Sequence, residues 1–195
     1  MQAARGASLS SSDPQHRSRR PLVIFVLVAL SAYLLDQVTK ALAVARLEPG
    51  ESVPFIGDLL KLTLVRNPGA AFSTGTSYTI VLSAIAVTAV VVVLFMARRL
   101  NSILWAVGLG CLLGGALGNL TDRLLREPAF GRGHVIDFFQ LPHWPVFNVA
   151  DMCINVAAAI IIIQAFRGVS HDGRSDASED DDQAEDPAES PGESS

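Results

Sequence analysis

The sequence predicts an all-α membrane protein, a bundle of four transmembrane helices with a small extracytoplasmic β-sheet. Half of the 195 residues are hydrophobic and the mean hydropathy is +0.37, which is too apolar for a soluble domain with long polar ends. The apolar residues are concentrated in four runs, each long enough to cross about 30 Å of hydrocarbon. A short, partly alternating apolar segment in a polar connection predicts the sheet. The predicted spans are residues 22–44, 79–97, 102–120 and 149–166.

Two polar segments flank the predicted membrane domain of residues 21–168. Residues 1–20 are rich in Ser and Arg without apolar periodicity, so we expect a disordered cytoplasmic arm. From His171 to Ser195 there are ten acids and one arginine, which leaves nine acids and fourteen bases in residues 1–170. Residues 169–195 are therefore predicted to form a disordered acidic tail, because this composition cannot bury a core.

The first apolar run has an alternative interpretation as a cleaved signal peptide, with a basic flank and an Ala43-Val44-Ala45 cleavage site. Asp36 and Lys40 interrupt the run and three further spans follow, which favours a helix that stays in the membrane. The two residues are four apart, so a helix places them on one face within reach of each other. A pair that snorkels to interfacial water and anchors the helix end is as consistent with this spacing as a functional role.

The connection of residues 46–78 is polar but contains strand signals. Leu59–Val65 is short, apolar and partly alternating, and it is followed by the turn sequence Asn67-Pro68-Gly69. Ser52–Ile56 is its candidate antiparallel partner. We therefore expect a small sheet on the membrane surface.

The second and third spans are joined by the very short turn Arg98-Arg99-Leu100-Asn101. The third span is rich in glycine, and small residues let transmembrane helices approach closely. We therefore expect this helix to pack centrally. Its glycines are Gly108, Gly110, Gly114, Gly115 and Gly118.

Arginines crowd the ends of the spans on one side of the predicted topology. Four spans place both termini on that side, and the positive-inside rule makes it cytoplasmic. The two long connections then lie outside, and four aspartates fall at the outer membrane boundary. The arginines are Arg17, Arg19, Arg20, Arg98, Arg99, Arg167 and Arg174, and the aspartates are Asp36, Asp122, Asp137 and Asp151.

A carboxylate beside hydrocarbon is costly, so each of these aspartates is a functional candidate. Asn119 and Asp122 share a helix face, and Arg123 can pair with a carboxylate. The alternative is a polar helix terminus with an interfacial arginine. Asp137 lies in the apolar run 133–141, which we expect to dip back toward the membrane surface, and its alternative is an exposed loop carboxylate.

Asn148 and Asp151 lie three residues apart at the start of the fourth span. Asn148 as the N-cap and Asp151 in the first turn explain both residues without any chemistry. The same geometry suits catalysis, so both interpretations stay open at this point. Cys111 and Cys153 are isolated in apolar runs and the histidines form no cluster, so we expect no metal site and no cofactor.

Five motifs occur in an order that resembles the lipoprotein signal peptidases (signal peptidase II), aspartyl endopeptidases of the bacterial inner membrane. Each motif is weak by itself, but the set spans about residues 22–166 and is specific. The interval between its last two aspartates looks shorter than in many relatives. The motifs are Asp36-Gln-Val-Thr-Lys40, Arg66-Asn-Pro-Gly-Ala-Ala-Phe72, Gly114-Gly-Ala-Leu-Gly-Asn-Leu-Thr-Asp-Arg123, Val135-Ile-Asp-Phe138 and Phe147-Asn-Val-Ala-Asp151.

The resemblance implies that Asp137 and Asp151 are the catalytic dyad. It also implies supporting or substrate-binding roles for a wider set of residues, and it leaves open whether Asp36 and Lys40 act in stability or in substrate binding. That set is Asp36, Lys40, Asn67, Gly115, Asn119, Asp122, Arg123 and Asn148.

Two nearby carboxylates share a proton, so that one can deprotonate water while the other polarises a carbonyl. The resemblance implies a prolipoprotein substrate whose cysteine carries a diacylglyceryl group and which is cut on the amino side of that cysteine. It further implies a multi-pass inner-membrane protein with its active site at the outer face. We expect a monomer in contact with membrane lipids, without a nucleic-acid partner.

Two other classes of protein are alternatives to a membrane peptidase. A small transporter or proton-conducting protein would use intramembrane Asp and Lys residues as an ion path, but it predicts carboxylates in mid-span rather than at one boundary. A scaffold or chaperone subunit would use the acidic tail as a binding arm, which the four-span body does not require.

Overall fold

The computed structural model describes residues 19–69 and 77–172 of the chain. All four helices within these ranges are long and apolar enough to cross a membrane. The predicted class, a helical membrane bundle with a small sheet, is confirmed. The helices are α1 (Arg20–Arg46), α2 (Ser77–Ala97), α3 (Ile103–Leu125) and α4 (Val149–Phe166), and the strands are β1 (Ser52–Ile56), β2 (Leu60–Asn67) and β3 (Val135–Gln140). The segments predicted to be disordered, residues 1–20 and 169–195, lie outside the described residues except at residues 19–20 and 169–172. Residues 70–72 of the second motif also lie outside them.

α3 is the most buried of the four helices, as its glycines predict. A Cβ atom on Gly114 would lie 2.6 Å from the carbonyl oxygen of Ala29 on α1. One on Gly115 would lie 2.6 Å from the carbonyl oxygen of Ala150 on α4. Because real Cβ atoms do not come so close, glycine at these two positions is what lets α1 and α4 pack directly on α3.

The outward surface of α2 is apolar and exposed. Ile85, Val91 and Phe95 are 60%, 61% and 66% exposed, whereas Val93 and Ala97 pack into the core of the bundle. Such a continuous apolar surface is stable against hydrocarbon and not against water. The helices therefore have the surface of a membrane bundle as well as the length of one.

The chain after α4 folds back onto the start of α3. The indole nitrogen of Trp105 donates to the carbonyl oxygen of Val169 at 2.8 Å. The backbone N–H of Asn101 donates to the carbonyl oxygen of His171 at 3.0 Å. The last described residues are thereby held beside the turn between α2 and α3.

The three strands form one antiparallel sheet in the order β1-β2-β3. The pairing of β1 with β2 confirms the predicted hairpin, with Ser52 opposite Thr63. β3 was not predicted as a strand. Its first four residues are all buried, so its sequence lacks the alternation of polar and apolar residues that reveals a half-exposed strand. The register places Asp137 opposite Val65 and so brings the carboxylate to the end of β2.

α3 is longer than its apolar run predicts, because the helix continues to Leu125 instead of ending at residue 120. The apolar run ends just before the first charged residue, Asp122. This residue nevertheless remains helical, because its charge is paired inside the fold. The extra turn carries Asp122 and Arg123 to the level of β3.

Candidate active site

Asp137 is buried where β3 meets α4, at 2% exposure. Its Oδ2 atom accepts a hydrogen bond of 2.9 Å from the side-chain amide of Asn67 on β2. Its Oδ1 atom accepts one of 2.6 Å from the amide of Asn148, which precedes α4. The alternative of an exposed loop carboxylate is therefore wrong.

Asp151 lies in the first turn of α4 and takes part in a capping box with Asn148. Asn148 Oδ1 accepts from the Asp151 backbone N–H at 3.0 Å, and Asp151 Oδ2 accepts from the Asn148 backbone N–H at 3.2 Å. Asp151 Oδ1 also accepts from the amide of Asn119 on α3 at 2.9 Å. The cap predicted from the sequence is present, and it holds Asp151 facing the same group of amides as Asp137.

Asn148 is the residue that contacts both carboxylates. Its side-chain nitrogen donates to Asp137 Oδ1 and, at 3.1 Å, to Asn119 Oδ1. Its side-chain oxygen is occupied by the backbone of Asp151. Because each end of this amide has its own partner, its orientation is determined, and the two carboxylates are held in one hydrogen-bonded cluster.

Lys40 is a buried cation next to this cluster, and it pairs with two aspartates. Its ammonium group has three N–H donors and three partners: Asp36 at 2.8 Å, Asp122 at 2.9 Å and Asn119 at 2.9 Å. The side chains of Lys40, Asp36 and Asp122 are all 0% exposed. The prediction that Asp36 and Lys40 can meet as a pair is confirmed, but the alternative of a pair snorkelled to interfacial water is wrong.

Asp36 also joins α1 to the start of α4. Its Oδ1 atom accepts from the backbone N–H of Ala150 at 2.9 Å, one of the N-terminal donors that an α-helix leaves unpaired. A Cβ atom on Gly118 would overlap Asp36 Oδ2, so this glycine leaves the space that the carboxylate fills. Asp36 thus helps to hold the turn that contains Asp151.

Asp122 lies outside the cluster around Asp137 and Asp151. One of its oxygens accepts from Lys40 and from the backbone N–H of Ile136 at 3.2 Å, and the other accepts from Arg126. Its contacts therefore tie α3 to β3. Gly115, another of the residues in the predicted set, contributes only the close approach of α3 to α4.

Arg123 lies beside the cluster. Its Nη1 atom is buried and has no hydrogen-bond partner within residues 19–69 and 77–172. A Cβ atom on Gly69 would lie 3.8 Å from it, which places the guanidinium next to the turn after β2. A buried donor left unpaired is costly, so this N–H group is available to donate a hydrogen bond to a carbonyl oxygen.

Two supporting residues were missed by the sequence analysis. Gln37 donates to Asp36 Oδ2 and to the carbonyl oxygen of Gly118, both at 3.1 Å. Arg126 is four residues after Asp122 and pairs with it. Helical spacing reveals the Arg126 pair once α3 is extended by one turn, whereas nothing local indicates the contact of Gln37 with α3.

The pKa of Asp137 is raised to about 6, chiefly by burial and also by the nearby charge of Asp151. The hydrogen bonds from Asn67 and Asn148 and the charge of Lys40 act in the opposite direction. A carboxyl group with this pKa can hold or release a proton near neutral pH, which suits acid–base chemistry. Among the described residues, no group of three or more His, Cys, Asp or Glu side chains is arranged to hold a metal ion.

The fold and the site define a multi-pass membrane protein with two amide-bound carboxylates at one end of its helix bundle. More specifically, the chain belongs to the signal peptidase II family, because residues 28–167 match the family model described as signal peptidase (SPase) II. Membership of this family implies a peptidase of the bacterial inner membrane that acts on prolipoproteins.

Individual relatives agree with the family match. The lipoprotein signal peptidase of Mycobacterium avium (strain 104) is 51% identical over 162 residues, covering 83% of this chain and 89% of that protein. The lipoprotein signal peptidase of Streptomyces coelicolor is 47% identical over 157 residues, covering 80% and 77%. A bacterial membrane enzyme solved by the in meso method at 1.9 Å resolution aligns with a TM-score of 0.67 at 27% identity, covering 74% of this chain and 93% of that one.

Proposed function

We propose that this protein is an aspartic endopeptidase in which Asp137 and Asp151 form the catalytic dyad. Its substrates are diacylglyceryl-modified prolipoproteins, cut on the amino side of the lipidated cysteine. The observation that carries the assignment is the position of Asn148, which is hydrogen-bonded to both aspartates. Asp36 and Asp122, the other two aspartates at this level, are instead paired with Lys40, and Asp122 pairs with Arg126 as well.

The proposed reaction is attack by water without a covalent intermediate. The dyad holds one shared proton, because two nearby carboxylates do not both ionise cheaply. The ionised carboxylate takes a proton from water, and the resulting hydroxide attacks the scissile carbonyl carbon while the protonated carboxyl donates to the carbonyl oxygen. A proton then passes to the leaving nitrogen as the C–N bond breaks. Both carboxylates accept two hydrogen bonds, so the site is compatible with either one as the base.

The surrounding residues have separate proposed roles. Asn67, Asn119 and Asn148 orient the dyad by donating to its oxygens. Asp36 and Lys40 act in stability and positioning rather than in substrate binding, because they are fully buried and saturated by partners. Arg123 donates to a carbonyl oxygen of the substrate backbone from its buried Nη1 atom, which has no hydrogen-bond partner among the described residues.

The proposed topology has both termini in the cytoplasm and the dyad at the outer membrane face. Arg98 and Arg99 in the short turn between α2 and α3 favour the cytoplasm for that end of the bundle. The dyad lies at the opposite end of α3. There the diacylglyceryl group keeps the substrate in the bilayer while water reaches the scissile bond.

The test is a cleavage assay on full-length protein in detergent, using one prolipoprotein with and without its diacylglyceryl group. Wild type should cut only the lipidated form. Asp137→Asn and Asp151→Asn should be folded and inactive, whereas Asp122→Asn should keep partial activity. Normal turnover by Asp137→Asn together with a dead but folded Asp122→Asn would show that the dyad is wrongly assigned. No cleavage by wild type would overturn the peptidase assignment itself.

A further inference from the structure

We propose that a cavity between the end of α1 and the sheet binds one acyl chain of an anionic phospholipid, with the phosphate at Arg46. The cavity has a volume of about 430 Å³. Leu42 of α1 and Phe55, Leu62 and Phe138 of the sheet form much of its wall. It is a separate site from the dyad and does not depend on the proposed reaction.

The wall of the cavity gives water few partners. The Thr39 hydroxyl lies at the wall but donates within α1, to the carbonyl oxygen of Leu35 at 2.7 Å and to that of Asp36 at 3.0 Å. A buried water needs two to four polar partners, but only Thr39 and Arg46 among the nine lining residues are polar, and the other seven are apolar. An apolar ligand therefore fits the space better than solvent.

The cavity continues the lipid-facing surface of α1, which identifies the ligand as a lipid. Leu35, Val38 and Leu42 follow each other at helical spacing and are 56%, 54% and 52% exposed. Phe55 on the opposite wall is 61% exposed. Acyl chains are the apolar molecules that meet such a surface inside a bilayer, so a chain can enter from the side without crossing water.

Arg46 supplies the charge that selects an anionic lipid. It is the last residue of α1, whose 27 residues span about 40 Å, close to the thickness of a bilayer with its headgroups. This length puts the guanidinium at the depth of the phosphates. Within the described residues no carboxylate forms a salt bridge with Arg46, which leaves its donors available for bidentate phosphate binding.

The bound acyl chain would support β3, the strand that carries Asp137, without touching Asp137 itself. Phe138 lines the cavity and directly follows Asp137 in β3. The Asp137 carboxylate is held by Asn67 and Asn148, neither of which lines the cavity. The lipid therefore packs behind β3.

The cavity is tested by native mass spectrometry of the full chain in detergent, with phosphatidylglycerol and phosphatidylcholine of identical acyl chains. Wild type should retain one phosphatidylglycerol in preference to phosphatidylcholine. Thr39→Phe places a ring in the cavity and should abolish this retention. Val38→Phe adds the same ring one residue away on the open surface of α1 and should leave retention unchanged.

The charge is tested by Arg46→Gln, which should reduce the preference for phosphatidylglycerol about fivefold, equivalent to about 1 kcal/mol for one arginine at the membrane surface. Arg132→Gln removes an exposed arginine outside the cavity and should leave the preference unchanged. Equal binding of both lipids by wild type, or full retention by Thr39→Phe, would overturn the proposal. So would a Thr39→Phe variant that keeps its phosphatidylglycerol but has a raised KM for lipidated prolipoprotein, since the cavity would then hold the substrate's lipid.

Discussion

Lys40 on α1 and Asn119 on α3 are joined by a hydrogen bond of 2.9 Å from the ammonium group to the amide oxygen. Because this oxygen faces Lys40, the amide nitrogen of Asn119 faces Asp151 and donates to it. A buried cation thus orients a carboxylate with which it forms no salt bridge among the described residues. This amide connects the buried ion pairs that stabilise the bundle with the geometry of the dyad.

The Lys40 ammonium group is expected to be essential for folding. Lys40→Met would leave Asp36 and Asp122 buried without their shared cation, and removing one partner of a buried ion pair costs about 3–5 kcal/mol. Thermal unfolding in detergent measures the loss. Lys61→Met is the matched control, because Lys61 pairs with the exposed Asp58 at 3.6 Å, and such surface pairs contribute about 0–1 kcal/mol. Equal destabilisation by the two variants would contradict the central role of Lys40.

Asn119 is expected to act as a positioning residue for Asp151. Asn119→Ala removes the donor to Asp151, and misplacement of a catalytic group by about 1 Å lowers turnover about 100-fold. The loss should appear in kcat with KM nearly unchanged, because Asn119 holds the dyad rather than the substrate. Asn155→Ala provides the comparison, since Asn155 is exposed and donates to the backbone oxygen of Asp151 rather than to its carboxylate. A rise in KM at constant kcat would instead assign Asn119 to substrate binding.

A side chain at Gly118 is expected to destabilise the protein and to disturb the dyad. A methyl group there would overlap Asp36 Oδ2 and would displace the carboxylate from the N–H of Ala150. Gly118→Ala should lower the free energy of unfolding by about 1–3 kcal/mol, the usual cost of overpacking. It should also reduce kcat, because α4 begins one residue before Ala150. Ala41→Val, on the exposed side of α1, should change stability by less than about 0.5 kcal/mol, and a similar loss there would remove the steric explanation.

The pH dependence of kcat/KM should reveal the raised pKa of Asp137. The pKa is about 6, so above this pH Asp137 loses its proton, and the dyad then lacks the proton that polarises the carbonyl. We expect kcat/KM to fall as pH rises through about 6. Asn67 donates to Asp137 and stabilises its ionised form, so Asn67→Ala should raise this pKa and move the alkaline limb to higher pH.

Asn67→Ala should also lower turnover, because Asp137 loses one of its two amide partners. Ser52→Ala serves as its control, since the partners of the Ser52 hydroxyl in the described part of the chain are Thr63 and Gln140 on the sheet. Its pH profile should match that of wild type. A limb that moves to lower pH in Asn67→Ala, or does not move, would show that this hydrogen bond does not tune the dyad.

Much of the fold could be predicted because its signals are local. Four apolar runs identify four helices, and the alternation in β2 identifies the hairpin with β1. β3 could not be recognised, because it is covered on both sides and its sequence is almost uniformly apolar. The end of α3 was placed too early for a related reason. A charged residue ends a hydropathy run, but it does not end a helix when a partner from α1 neutralises it.

The sequence by itself determined the class of the protein, the four spans and, through ordered motifs, the two candidate catalytic aspartates. It could not decide between a cap and a catalytic role for Asp151, or between an anchor and a functional role for Asp36 and Lys40. Only the tertiary structure decided that Asp36 and Lys40 are buried together and that Asn148 contacts both Asp137 and Asp151. The reason is physical: hydropathy and helical spacing report on neighbours along one helix. The cost of a buried charge is met by partners from other elements, which become neighbours only when the chain folds.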